Sequence, residues 1–334
     1  MNLGIVYDLR EDYGIDKEDI TYKDFSVLSE IQGIYDALQK FGHNAELIGS
    51  PKMFSRLVQE RQHENYDIIM NFCEGFRSRN RESLIPALCE LYQIPYTFSD
   101  CHAMNLTLDK YQTLLFAKSI GLNIPESFLF IPNFHTWQDL SNLVQKLHFP
   151  IVCKPNYEGT SMGITLVYCM EDLKKTIEKL VEVYRQPILC SDYIDGHEIA
   201  VPIIGTGDHA RILGIVEYQK LDGSPIEFYT SEQKEHGCHK RSFADFGEIV
   251  NKRIELHALH IHRAIPCFDL SRIDLRLRKG IPYLLEVTPL PDMTRNSTFE
   301  ESALRCGYNY GELLNYIIIS AIERYKGMSQ HEYI

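Results

Sequence analysis

Two stretches of the chain concentrate side chains that can do chemistry. The first runs from Pro150 to Val167. An apolar run delivers Lys154, a turn carries Glu158, Gly159, Thr160, Ser161, Met162 and Gly163, and a second apolar run follows. Glycines let consecutive backbone N–H groups converge, hydroxyls add donors, and such a nest suits phosphate oxygens. A lysine at the strand end supplies a point charge. No Gly-Lys-Ser/Thr opens a helix, so this is not a P-loop. Taken alone, a tight turn between two strands explains the segment equally well. The second stretch runs from Ser271 to Leu277 and resumes from Tyr283 to Thr294. On a strand Arg272 and Asp274 share a face, and Glu286 ends the next strand. Two carboxylates on neighbouring strands can share Mg²⁺, which prefers hard oxygen ligands. For this segment alone, an Arg272–Asp274 ion pair is the simpler reading.

The elements around these stretches alternate. Leu3–Tyr7 is a short apolar run. Val27, Ile31, Ile34, Tyr35 and Leu38 recur at helical spacing over 26–41, and Gly42 follows as a C-cap. Strands are expected at 45–48, 67–72 and 96–98, with a helix over 86–92. This β/α alternation predicts a parallel sheet with covering helices. Residues 9–24 are charged and aperiodic, which predicts a mobile loop. A second unit begins near His102, with a helix over 110–120 and strands at 128–131, 151–154 and 164–168. A third begins near Ala200, with strands at 201–204, 212–217, 271–277 and 283–287. The stretch from Asp222 to Asp245 has little periodicity and predicts a long functional loop.

The chain has 334 residues and a formal net charge of -12. The length suits two or three domains. The acidity argues against nucleic-acid binding, which needs a basic face. It leaves a nucleotide site open, because that needs only local cations and metal. No apolar run approaches the ~20 residues of a membrane span, and the start reads as a strand rather than a signal peptide. These features predict a cytoplasmic protein that binds no membrane. Nine cysteines form no CxxC pair, and Cys153, Cys169 and Cys190 sit in apolar runs, as expected of reduced core thiols.

In order and spacing these motifs resemble the ATP-grasp superfamily, and within it the D-alanine–D-alanine ligases. The resemblance spans nearly the whole chain. The segments Tyr66–Gly75, Asn80–Ser83 and Ile94–Asp100 look like the first-domain signature of a ligase-like subgroup. It implies three α/β domains, here 1–103, 104–198 and 199–328, with ATP between the second and third. It implies an ATP-dependent carboxylate–amine ligase using Mg²⁺, with Mn²⁺ as a substitute. By resemblance, Lys110 and Lys154 contact ATP phosphates, Glu158 through Gly163 cover them, and Ser161 also takes part in catalysis. Ser191, Tyr193 and Ile194 lie along the nucleoside, and Glu198 holds the ribose. Lys234 reaches the γ-phosphate from a closing loop, Arg272 stabilises the oxyanion, and Asp274, Glu286 and Thr288 hold metal. Glu74, Arg79, Arg81, Asp292 and Ser297 are placed around the substrates.

Four positions depart from the family pattern. Thr288 stands where the third metal ligand is usually Asn, and Asp292 replaces a turn glycine. Ser191 replaces an adenine-reading Glu, and Phe25 occupies the place of the Glu that holds the first substrate's ammonium. The expected partners are small carboxylates and amines, amino acids or peptides. A carrier-protein thiol as acceptor, a non-catalytic nucleotide-binding protein and a homodimer remain as alternatives. Arg77, Arg79 and Arg81 fit a solvated charge run as well as a carboxylate site. His236, Cys238 and His239 lack a clear fourth zinc ligand. His257, His260 and His262 read as surface or interface residues, and Trp137 as core.

Overall fold

The computed structural model describes residues 1–16, 19, 25–226, 228 and 239–328. Lys234, His236 and Cys238 lie outside the described residues. Three sheets organise the chain. The first has the order β2-β1-β3, from β1 (Asn2–Tyr7), β2 (Asn44–Gly49) and β3 (Ile68–Phe72), and is parallel. Helices α1 (Leu28–Phe41), α2 (Pro51–Gln59) and α3 (Leu84–Leu91) flank these strands in the chain. Helix α1 stops at Gly42, whose φ of 100° is open to glycine and strained for other residues. The expected strand at 96–98 is reduced to one bridge, Ile69 with Tyr96, held by Ile69 N–H to Pro95 O and Thr97 N–H to Ile69 O. The stretch 9–24 opens with a short 3₁₀ turn at Arg10–Tyr13, and Tyr13 donates to Asp8.

Helices α4 (Cys101–Leu108) and α5 (Lys110–Ser119) lead into an antiparallel sheet of order β4-β7-β5-β6. It comprises β4 (Ser127–Phe130), β5 (Ile151–Pro155), β6 (Thr165–Val167) and β7 (Ile188–Asp192), with α6 (Trp137–Leu143) and α7 (Met170–Tyr184) between them in the chain. Ile151, Cys153, Ile188 and Cys190 pack into one core with Leu173 and Ile177 of α7. By the period of two, Val152 and Lys154 face the other way. The third sheet is antiparallel, with the order β11-β10-β8-β12-β13 and β9 alongside β8. Its strands are β8 (His197–Ile204), β9 (Arg211–Ile212), β10 (Val216–Lys220), β11 (His239–Phe243), β12 (Leu270–Arg278) and β13 (Ile281–Thr288). Helix α8 (Glu248–Ala264) packs on it through Ile254, Ala258 and Ile261. Helices α9 (Thr298–Arg305) and α10 (Tyr310–Met328) return to the first sheet. Leu313, Leu314 and Ile317 share a core with Ile31, Ile34 and Leu38. No helix among the described residues is long and apolar enough to cross a membrane.

Several expectations need correction. Part of the stretch 222–245 is strand β11, paired with β10. The expected strand at 212–217 is split into β9 and β10 around Gly214. Trp137 is 39% exposed, because it opens α6 and stacks on Phe130 from outside, 5.3 Å between centroids, with Lys174 over its face. His257 and His262 are buried, the latter held by Ser271 Oγ at 2.7 Å and Gly205 O at 3.1 Å. Burial pushes both imidazoles down to about 4, so they stay neutral. Cys169 is exposed, at the start of α7 rather than in a core.

Candidate active site

A cleft of about 600 Å³ lies among the three sheets. Its charged wall is set by strand register. Strand β12 pairs with β13 so that Arg272 faces Thr288 and Asp274 faces Glu286. On the other side β12 pairs with β8, which sets Arg276 opposite Glu198. Arg272 grips Asp274 with two hydrogen bonds, Nε to Oδ1 at 2.8 Å and a terminal nitrogen to Oδ2 at 2.7 Å. Arg276 reaches Glu198 at 2.9 Å and lies over the Tyr193 ring.

Two lysines enter from the central elements. Asn156, fully buried after β5, receives Tyr111 N–H on its side chain and Lys110 N–H on its backbone carbonyl. Its amide nitrogen donates to Asp109, the N-cap of α5, at 2.7 Å. That one residue ties the start of α5 to the end of β5, and so brings Lys110 and Lys154 to the same cleft. Lys110 Nζ lies 2.9 Å from Glu286 Oε1. Burial pushes the Lys154 ammonium down to about 8, against the pull of Glu286. Burial alone would raise Glu286, but Lys110 and Lys154 hold its carboxyl at about 2. Burial disfavours the Arg272 cation, yet Asp274 beside it keeps the guanidinium charged.

Thr160 and Ser161 both take left-handed backbone, φ 46° and 60°, and their segment borders the cleft with Gly159. Gly163 follows at φ 67°, and a Cβ there would meet Pro155 and Tyr184 at 2.8 Å. Glu158 turns to Gln186, which donates to it at 2.7 Å, and Met162 is buried, so neither borders the cleft. Ser191 and Ile194 are likewise buried on and after β7.

The metal question turns on Asp274, Glu286 and Thr288, which all border the cleft. The Thr288 hydroxyl oxygen is buried and has no hydrogen-bond partner among the described residues. A buried hydroxyl left this way costs free energy unless a ligand meets it. Two carboxylates and this oxygen fit Mg²⁺, which takes few protein ligands and completes its shell with phosphate and water. Among the described residues no cluster of three or more His, Cys, Asp or Glu side chains could hold a metal alone.

The family model for the D-alanine–D-alanine ligase C-terminus matches residues 116–319, more than half of the chain. The chain belongs to that family. It is 30% identical over 302 residues to a D-alanine–D-alanine ligase of Carboxydothermus hydrogenoformans, covering 87% of this chain and 91% of that protein. It is 29% identical over 300 residues to an uncharacterized protein of Sinorhizobium fredii, covering 87% of each. The D-alanine–D-alanine ligase of Bacillus anthracis, solved in complex with ATP, superposes with a TM-score of 0.76 at 20% identity over the whole of both chains. The fold is the mixed α/β ATP-grasp architecture, and the family is one of ATP-dependent C–N ligases. Membership favours a ligase over a non-catalytic nucleotide-binding protein.

Of the residues singled out in this ligase's sequence, Lys110, Lys154, Glu198, Arg272, Asp274, Glu286 and Thr288 converge on the cleft with Gly159 to Ser161. Glu74, Arg81 and Asp292 border it too. Arg81 is buried against Glu74, donating to its backbone carbonyl at 2.7 Å, whereas Arg79 is exposed and lies 3.7 Å from Asp109. Ser297 is buried and spends its hydroxyl as the N-cap of α9, accepting from Glu300 N–H, while its neighbour Thr298 borders the cleft. Asp292 accepts from Thr294 N–H at 2.8 Å, closing its own turn. Sequence reasoning missed Arg276 and Asn156. Arg276 lies two residues beyond Asp274, so the strand period alone would have placed it on the same face. No local pattern marks Asn156, whose partners are 45 and 47 residues away.

Proposed function

We propose that this protein joins a small carboxylate, an amino acid or peptide, to an amine through an acyl phosphate, with ATP as the phosphoryl donor. The observation that carries the reading is the set of cation–carboxylate pairs, Lys110–Glu286 and Arg272–Asp274, facing Lys154 across one cleft. In the first step a carboxylate oxygen attacks the γ-phosphorus and ADP leaves. In the second the amine attacks the acyl carbon, phosphate departs with the bonding electrons, and the nitrogen loses a proton. Lys110, Lys154 and the N–H groups of 159–161 hold phosphate oxygens, with the Ser161 hydroxyl as a further donor. Arg272 faces the oxyanion that develops at the acyl carbon. Fixed charges of this kind act without reorganising, which is where most of the acceleration arises. Bound Mg²⁺ would neutralise phosphate charge, held by Asp274, Glu286 and Thr288. Glu198 borders the cleft on the nucleoside side, with Tyr193 behind it under Arg276, and the segment of Ser191 and Ile194 backs that side from the core. Glu74, Arg81 and Asp292 border the space left for the two substrates; Arg79 and Ser297, expected there from the sequence, lie off the cleft and take no contact role in this reading. The units 1–103, 104–198 and 199–328 serve as substrate, nucleotide and metal-bearing parts.

The test is ADP formation. The ligase releases ADP and phosphate only when a carboxylate and an amine are both supplied, with a new amide of matching mass. ADP release that ignores both substrates would overturn the reading.

A further inference from the structure

A helix start leaves its first N–H groups without a partner inside the helix. In α5 those of Lys110, Tyr111 and Gln112 are all met by two residues. Asp109, the N-cap, accepts Gln112 N–H on Oδ1 at 3.1 Å. Asn156, just beyond the end of β5, accepts Tyr111 N–H on Oδ1 at 2.9 Å and Lys110 N–H on its backbone oxygen at 3.3 Å. Its Nδ2 closes the ring by donating to Asp109 Oδ1 at 2.7 Å. Asn156 N–H donates to Pro187 O at 3.0 Å, which fixes the residue to the start of β7. All of this is out of water: Asn156 is fully buried, and Asp109 and Lys110 are 6% and 5% exposed. Lys110 is the first residue of α5, and Lys154 lies two residues before Asn156 on β5. The bonds of Asn156 therefore set where one lysine starts relative to the other.

We propose that Asn156 is a positioning residue for phosphate binding: by capping α5 from the end of β5, it holds Lys110 and Lys154 at the spacing at which both meet the phosphates of one nucleotide. The inference rests on the proposed function, which assigns those two lysines to phosphate. Asn156 touches no phosphate itself and acts through the lysines. An ammonium is a point charge, so its attraction for a phosphate oxygen falls directly with distance. Phosphoryl transfer depends on positioning and fixed charge more than on covalent chemistry, so a slip of the helix start is felt at the reacting group. The side-chain type fits the task. An amide offers an acceptor and a donor on one plane, and this place uses both, the acceptor toward Tyr111 N–H and the donor toward Asp109. A carboxylate at 156 would keep the first bond and set like charges together in the second.

The experiment uses the full chain with Mg²⁺ and without carboxylate or amine. Titration calorimetry gives Kd for a non-hydrolysable ATP analogue and for adenosine, which carries no phosphate, and their ratio isolates what the phosphates contribute. In Asn156→Asp the Kd of the analogue should rise about tenfold or more, the scale of a lost hydrogen bond to a charged group, with adenosine within about twofold of wild type. Combining Asn156→Asp with Asp109→Asn exchanges the two roles. The carboxylate at 156 accepts from Tyr111 N–H and from the amide at 109, whose oxygen still caps Gln112 N–H. This double variant should return the analogue to within about threefold of wild type, as a direct pair requires. Asn156→Ala adds no charge, should show the same phosphate-selective loss, and decides the matter if Asn156→Asp does not fold. Equal losses for analogue and adenosine would leave Asn156 a structural residue only and overturn the proposal. An unchanged ratio, or no recovery in the double variant, overturns it too, while the ligase reading stands. A wild type that binds the analogue no tighter than adenosine overturns the phosphate role of the lysines and this proposal with it. A wild type that shows this ratio and makes no ADP with any substrate pair overturns the ligase reading and leaves the positioning role standing.

Discussion

At the charged end of the cleft, Glu198, Arg272, Asp274, Glu286 and Thr288 sit on three adjacent strands, with buried Arg276 behind Glu198, and pairing register sets Arg272 opposite Thr288, Asp274 opposite Glu286 and Arg276 opposite Glu198. At the apolar end, Ile34, Phe72, Leu290 and Phe299 come from a helix, a strand end, a turn and another helix, brought together by core packing. One end is fixed by backbone hydrogen bonds and holds charges that neutralise each other in advance. The other is fixed by packing, and the carboxylates beside it, Glu30 and Asp292, accept backbone N–H groups of Val27 and Thr294. Chemistry common to a family can be kept on the first.

Asp274→Ala or Glu286→Ala should lower kcat by about a thousandfold, the scale of removing a fixed electrostatic contact. Circular dichroism should show the fold retained. Turnover near wild type in both would mean the charged wall does not hold the reacting groups.

Lys110→Met leaves Glu286 beside one lysine instead of two. Breaking a buried pair from one side costs about 3–5 kcal/mol, and the partial exposure of Glu286 reduces this to about 2. The Glu286 carboxyl, held at about 2, contributes stability that is present above its unfolded value and lost as pH falls toward 2. Urea melts of the variant should therefore lose less stability between the ordinary glutamate range and pH 2 than those of the wild type, because Lys110 no longer widens that window. Coincident acid profiles would remove Lys110 from the account.

Lys154 has a folded value near 8, below its ordinary 10.5. Its charge is present below pH 8 and lost above it, so nucleotide affinity of the free enzyme should fall as pH rises through 8. Lys154→Arg keeps its charge and should flatten that limb. Stability carries the opposite sign. The unfolded chain binds the extra proton between 8 and 10.5, so this group's contribution rises with pH across that window. An affinity limb unchanged in Lys154→Arg would assign the titration elsewhere.

The smallest effect is expected at Asp292. Its carboxylate accepts the Thr294 N–H, so Asp292→Gly should cost about 1 kcal/mol of stability. Its charge also borders the cleft and opposes an acceptor carboxylate, so the glycine variant should favour alanine over alaninamide as acceptor, relative to wild type. Identical acceptor ratios would leave Asp292 a turn residue only.

The same contrast explains what could be read from sequence. Strands 271–277 and 283–287 were legible because alternation marks which residues share a face, and Arg272, Asp274 and Glu286 followed from it. The parallel first sheet was legible from its β/α alternation. The apolar end was not, because Phe72 and Phe299 are 227 positions apart and nothing local says that they meet. Burial of His257 and His262 was missed for a related reason: a polar side chain on a helix looks solvent-facing until its partners, here Ser271 and Gly205 for His262, arrive from another strand and loop. Trp137 failed in the opposite sense, since ring size alone does not decide whether a helix start points inward.

The central claim is that the charged wall makes an acyl phosphate. A carboxylate substrate with both oxygens labelled tests it in one turnover assay. The account predicts that the released inorganic phosphate carries one labelled oxygen per amide formed, because the acyl carbon–oxygen bond is the one that breaks when the amine attacks. Phosphate released without label, with the amide formed in equal amount, would contradict it.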